Sequence, residues 1–125
     1  MNDIDSRADL ELVMHKFYES ALQDEVIGYL FTEVAHLHLE THLPLICDFW
    51  ELVILKKGDY KNDVMAVHLN LHSKSPLKAI HFKRWLGLFI STLNASFKGT
   101  NTELMKMRAQ SIATMMQVKI YNQET

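Results

Sequence analysis

A single cysteine, Cys47, gives the chain no partner for an internal disulfide, so nothing in it requires an oxidising compartment. Glycine and proline are scarce, 4 and 2 in 125 residues, well below the ~12% they make up in an average chain. A sheet protein of this length needs more turn residues than that, so the fold is expected to be all-α. No apolar run is long enough to span a bilayer, because the longest, Leu43 to Leu55, is interrupted by Asp48 and Glu51. Nor does one sign of charge prevail: 13 Lys and Arg against 15 Asp and Glu leave a net −2, which excludes the broad basic footprint of a nucleic-acid binder. The first residues, Met-Asn-Asp-Ile-Asp-Ser, lack the basic and apolar segments of a secretory leader, and a cytoplasmic location is expected. Repeats, low-complexity tracts and charge runs are also missing, so residues 1–125 read as one domain, acting as a monomer.

What the chain has is 48% hydrophobic residues, enough for a core, and several helix signals. Ser6 followed by Asp9 resembles a capping box, and Leu10, Val13, Phe17 and Ala21 then recur at helical spacing to about Gln23. A second helix is expected from Thr41, as N-cap, to Lys56, because Pro44 is tolerated only in a first turn. Leu45, Phe49, Leu52 and Val53 would be its buried stripe, and the stretch to Asn62 reads as a loop. Residues 64–72 alternate like a strand, but with no second strand to pair with, a short helix is the more economical reading. Ser75-Pro76 is a helix start, with Leu77, Ile80, Trp85, Leu88, Phe89 and Leu93 inward and Gly99 as the stop. Thr100 with Glu103 opens a last helix whose apolar face would be Leu104, Met107, Ile112, Met115 and Val118.

Seven histidines, none beyond His81, are the anomaly. His38/His42 and His68/His72 are spaced i, i+4, so each pair would share a helical face and a divalent metal could bridge it. Zinc needs third and fourth ligands, however, and the chain has neither HExxH nor CxxC. His36, His38 and His72 read equally well as solvated surface residues. His68 differs, lying among Met65, Val67, Leu69 and Leu71. With Phe17, Phe31, Phe49, Phe82 and Phe89 available, an inward imidazole suits a flat apolar cofactor carrying a metal; a core histidine bonded to a carbonyl is the plainer reading.

Several strings resemble the group III truncated haemoglobins. They are Phe17-Tyr18, His42-Leu43-Pro44 followed by Asp48-Phe49-Trp50-Glu51, Gly58-Asp59-Tyr60, His68-Leu69, the run from His81 to Phe89, and Arg108-Ala109-Gln110. They fall in order from about residue 8 to about residue 121. The resemblance implies a shortened globin, a two-over-two helical sandwich around haem. His68 would then be the proximal iron ligand, with His72 as a rival. Tyr18, His42 and Trp85 would face the sixth iron position, and Phe31 would pack on the haem. Phe17, Phe49 and Trp50 would form the wall, and Tyr60, His81 and Arg84 would lie near the propionates.

A lone cysteine excludes a CxxCH attachment, so the cofactor implied is non-covalent haem b. Its iron would be five-coordinate, or weakly six-coordinate through His42, and would take O₂, CO or NO. Bound O₂ carries partial negative charge, so donors from Tyr18, Trp85 and His42 would each stabilise it by about 1–3 kcal/mol. Two further classes stay open: a haem enzyme of NO oxidation or peroxide reduction, served by a reductase, and a His-rich non-haem metal module.

Overall fold

The computed structural model describes residues 1–60 and 63–124. Five α-helices follow one another: α1 (Arg7–Ala21), α2 (Leu39–Trp50), α3 (Val64–Lys74), α4 (Ala79–Ser96) and α5 (Thr100–Glu124). Wider π-helical turns span Leu30–Val34 and Glu51–Leu55, the second extending α2 until Lys56 ends it at φ 58°. Among the described residues there is no strand, as the shortage of turn residues predicts. The expected loop through Asn62 includes Lys61 and Asn62, which lie outside the described residues.

The helices form two pairs. α1 packs on α2 and α4 on α5, α1 and α4 join the pairs, and α3 leans on α5. The expected face of α1 is the buried one, with Leu10, Val13, Phe17 and Ala21 fully enclosed. At the centre Phe89 stacks between Trp50 and Trp85, with centroids 5.4 and 5.3 Å away, while Phe17 meets it edge-on. Such aromatic contacts add directional attraction to the area they bury. Residues 64–72 are helical, which settles their strand-like alternation in favour of α3.

Several local expectations need correction. α2 begins at Leu39, not after Thr41, because the His38 carbonyl accepts from the N–H groups of Thr41 and His42 and from the Thr41 hydroxyl. Pro44 therefore sits inside the helix, where it gives no N–H to the Glu40 carbonyl; Glu40 is exposed, so water can serve instead. Ser75 closes α3, its N–H bonding Leu71, and α4 starts only after Lys78. Leu45, Leu52 and Ile80 are exposed, whereas Cys47, Trp50 and Ile54 are buried. In α5 the buried stripe is Met105, Ala109, Ala113, Met116 and Ile120, leaving Met107, Met115 and Val118 in solvent. Both faces of α5 carry methionines and aliphatics, and the small side chains of Ala109 and Ala113 allow the closer approach.

The start of α5 is capped from the far end of the chain. Asp3 accepts from the N–H groups of Asn101 and Thr102, both at 2.9 Å, and from the Thr102 hydroxyl at 2.8 Å. Gly99, at φ 147°, passes so close that a Cβ there would collide with that carboxylate. Thr100 and Glu103 are thus not the capping pair. At α1 half of the expected box forms: Asp9 N–H reaches Ser6 Oγ, while the Asp9 carboxylate turns to the Asp5 N–H.

Candidate functional site

The helix pairs leave a cavity of about 350 Å³ between them, within the size range of small-molecule sites. α1 contributes Met14, Phe17 and Tyr18, spaced i, i+3, i+4 and so carried on one face. α2 contributes His42, Ile46, Phe49 and Trp50, and α3 a stripe of Val64, Val67, His68, Leu71 and Lys74. Phe31 comes from the first π-helical turn, and α4 adds His81, Phe82 and Trp85. The wall is mainly aromatic and aliphatic, with few polar groups.

His68 is oriented by its own helix. Its Nδ1 lies 2.9 Å from the Val64 carbonyl one turn earlier. A carbonyl only accepts, so Nδ1 carries the hydrogen and Nε2 keeps its lone pair. Burial holds this imidazole below its ordinary pKa, against the opposing pull of the Val64 bond, and so keeps it neutral. A neutral nitrogen ligand with a fixed tautomer on an apolar wall fits a planar apolar group bearing a metal. His72 is placed otherwise: its Nδ1 accepts the Leu77 N–H at 2.9 Å, bracing the α3–α4 turn, and its ring is not part of the wall.

On α1 and α2, the Tyr18 hydroxyl lies 2.6 Å from Nε2 of His42. Tyr18 is buried, meeting Phe17, Phe31 and His42 edge to face, and burial raises its phenol well above the ordinary value. Burial also lowers His42, and repulsion from His68 adds to the effect. Trp85 stacks its ring on Phe89 and is among the residues lining the cavity. No side-chain nitrogen or oxygen among the described residues is sealed without a partner, so the wall's polar groups are bonded or open to the cavity.

The other candidates divide. Phe31, Phe49, Trp50 and His81 line the cavity; Tyr60 and Arg84 do not. Tyr60 packs edge-on against Phe49, and Arg84 holds Asp24 through Nε and Nη2, each 2.7 Å from Oδ1. Asp24 is almost enclosed and also accepts from the N–H groups of Val26 and Ile27, so this pair anchors the turn after α1. His38 caps α2 from solvent while His42 points inward, so that i, i+4 pair does not converge. Among the described residues no three His, Cys, Asp or Glu side chains gather into a metal-binding group. Sequence reasoning passes over Ile46 and Lys74; for Lys74 the signal available was the α3 spacing of Val67, Leu71 and Lys74 at i, i+4, i+7.

No family model matches the chain. A group 3 truncated haemoglobin of Campylobacter jejuni is 30% identical over 112 residues, spanning 87% of this chain and 86% of that protein. The crystal structure of a group III truncated haemoglobin from Campylobacter jejuni aligns with a TM-score of 0.84 at 26% identity, covering 97% of this chain and 96% of that one.

Proposed function

The chain belongs to the group 3 truncated haemoglobins, and on that premise we propose that its cavity takes haem b non-covalently, that Nε2 of His68 would hold the iron, and that the bound haem would take O₂, CO or NO. When bound, the haem supplies an iron site open to a diatomic ligand. The observation that supports the reading is the Nδ1–H bond from His68 to the Val64 carbonyl, which leaves the lone pair on the other ring nitrogen available to a metal beside an apolar cavity.

The residues on the far side do the selecting. His42 is neutral, so one of its ring nitrogens bears a hydrogen. When Nε2 bears it, that N–H donates to the Tyr18 oxygen and leaves the phenol hydrogen free for a ligand. The indole N–H of Trp85 is a second donor, held by the Phe89 stack. With Tyr18 engaging Nε2, His42 acts through the phenol and not as a sixth iron ligand. Phe31 and Phe49 exclude water, which strengthens each donor.

An absorption spectrum of purified protein, oxidised, reduced and with CO, tests the reading. A Soret band that shifts with CO is expected; a colourless protein after growth with iron and haem precursor overturns it. The same Tyr18–His42 bond favours one second reading, an enzyme of NO oxidation or peroxide reduction, because it can pass a proton to a bound ligand. Turnover of NO or peroxide with a reductase distinguishes the two.

A further inference from the structure

We infer that the aromatic stack behind the cavity is an electron relay: when a peroxide is reduced inside, Trp50 gives up an electron and recovers it from Tyr60, through which a reductant in solution refills the site. The inference rests on the haem reading above and adds to it the route by which this chain's own rings supply electrons.

The chain has two tryptophans, and both line the cavity. Phe89 lies between them, tilted 29° from Trp50 and 23° from Trp85, so the three rings stack nearly parallel. On its other side Trp50 meets Phe49 at 5.1 Å between centroids, and Phe49 meets Tyr60 at 5.3 Å. From Trp85 to Tyr60 no neighbouring centroids are more than 5.4 Å apart. Electronic coupling therefore runs through ring contacts without crossing an open gap. A phenyl ring is far harder to oxidise than an indole or a phenol. Phe89 and Phe49 thus act as bridges, and the charge rests on Trp85, Trp50 or Tyr60.

The ends of the stack differ in their access to water. Trp50 is buried, whereas Tyr60 lies off the cavity wall and is only half-buried. Burial and then the Asp63 charge raise its phenol, so Tyr60 stays protonated near neutrality and releases its proton only along with an electron. Tyr18 also reaches the stack, through Phe17, but it is buried with its hydroxyl engaged by His42 and offers a reductant no face. Tyr29 is exposed, yet its ring meets only that of His81, which is a poor electron donor.

Reduction of hydrogen peroxide breaks the O–O bond, takes up two electrons and two protons and yields two waters. For each electron, Trp50 is oxidised and then restored by Tyr60 across Phe49, while the Tyr60 hydroxyl proton passes to water at its open edge. A one-electron reductant such as ascorbate returns an electron to the phenoxyl radical, which regains its proton from water. Two passages complete one peroxide.

The experiment treats the haem-loaded protein, checked by its CO spectrum, with stoichiometric hydrogen peroxide and a nitroso spin trap, and locates the adduct by peptide mass spectrometry. Wild type is expected to carry the adduct on Tyr60 and to lose it when ascorbate is present. Tyr60→Phe and Trp50→Phe should each lose the Tyr60 adduct, and Tyr121→Phe should keep it. Freeze-quench electron paramagnetic resonance of protein grown with ring-deuterated tyrosine reads the same radical directly. Its signal should narrow in wild type and not in Tyr60→Phe. A wild-type adduct confined to Tyr18, Tyr29 or Tyr121, or an undiminished Tyr60 adduct in Trp50→Phe, overturns the inference. Should Trp50→Phe not fold, the wild-type map and the Tyr60→Phe signal decide alone. Failure of wild type to take up haem overturns the haem reading, and this inference with it.

Discussion

The Tyr18 hydroxyl and Nε2 of His42, 2.6 Å apart, join α1 to α2 over the cavity that His68 enters from α3. One hydrogen lies between the two atoms, and its position decides which polar group faces the cavity. Burial raises the phenol and lowers the imidazole, so both stay uncharged near neutrality. The pair is therefore a neutral donor relay, suited to a ligand with partial negative charge.

Replacing Tyr18 by Phe keeps the ring packing and removes the hydroxyl. O₂ release from the ferrous protein should accelerate at least about ten-fold, the equivalent of ~1.4 kcal/mol for one desolvated donor. Stopped-flow displacement of O₂ by CO measures this; an unchanged rate would assign the stabilisation to Trp85.

The two α3 histidines should separate cleanly. His68→Ala is expected to abolish stable haem uptake, because it removes the imidazole whose Nε2 faces the cavity. His72→Ala should retain the Soret band and lose about 1 kcal/mol of stability with the Leu77 N–H bond. Loss of haem in the second variant alone would transfer the axial role to His72.

Asp3→Ala should destabilise the fold by about 1–2 kcal/mol, the usual cost of a lost helix cap. Its carboxylate caps α5 from the opposite end of the chain, and the hydrogen bonds from Asn101, Thr102 and Ile4 outweigh burial to keep it below the ordinary range. Urea unfolding should show a lower midpoint with an unchanged slope. An unaltered midpoint would mean that water replaces the cap at no cost.

Acid should weaken the haem-free protein well above the carboxylate range. Burial keeps His68 and His42 neutral in the folded state, the latter with added repulsion from His68, whereas both protonate near pH ~6.5 once unfolded. Below that value the unfolded chain binds more protons, so the stability from neutral histidines is present above pH ~6.5 and declines as pH falls. The lowered carboxylates of Asp3 and Asp24 add their own loss only below pH ~4. Urea midpoints at pH 7.5 and 5.5 should differ in wild type and differ less in His42→Gln. Equal wild-type midpoints would show that these rings titrate normally.

Much of this is legible from neighbouring residues, and the limits are equally local. The α1 stripe stands out because its other face is polar, so only one way of packing buries it. Phe17, Tyr18, His42, His68 and Trp85 line one cavity because each lies on the inward face of its helix. Where apolar residues surround a helix, as in α2 and α5, periodicity selects no face, and the neighbouring helix makes the choice.

Scarce turn residues and 3.6-residue periodicity are enough to dictate an all-helical chain, since each depends on contacts within one or two turns. The partners of Arg84, the cap that Asp3 places on α5 and the position of Lys74 on the cavity wall depend on groups up to 99 residues apart. Such pairings form only when the helices pack, because the backbone groups at a helix end take whichever donor or acceptor the folded chain brings nearest.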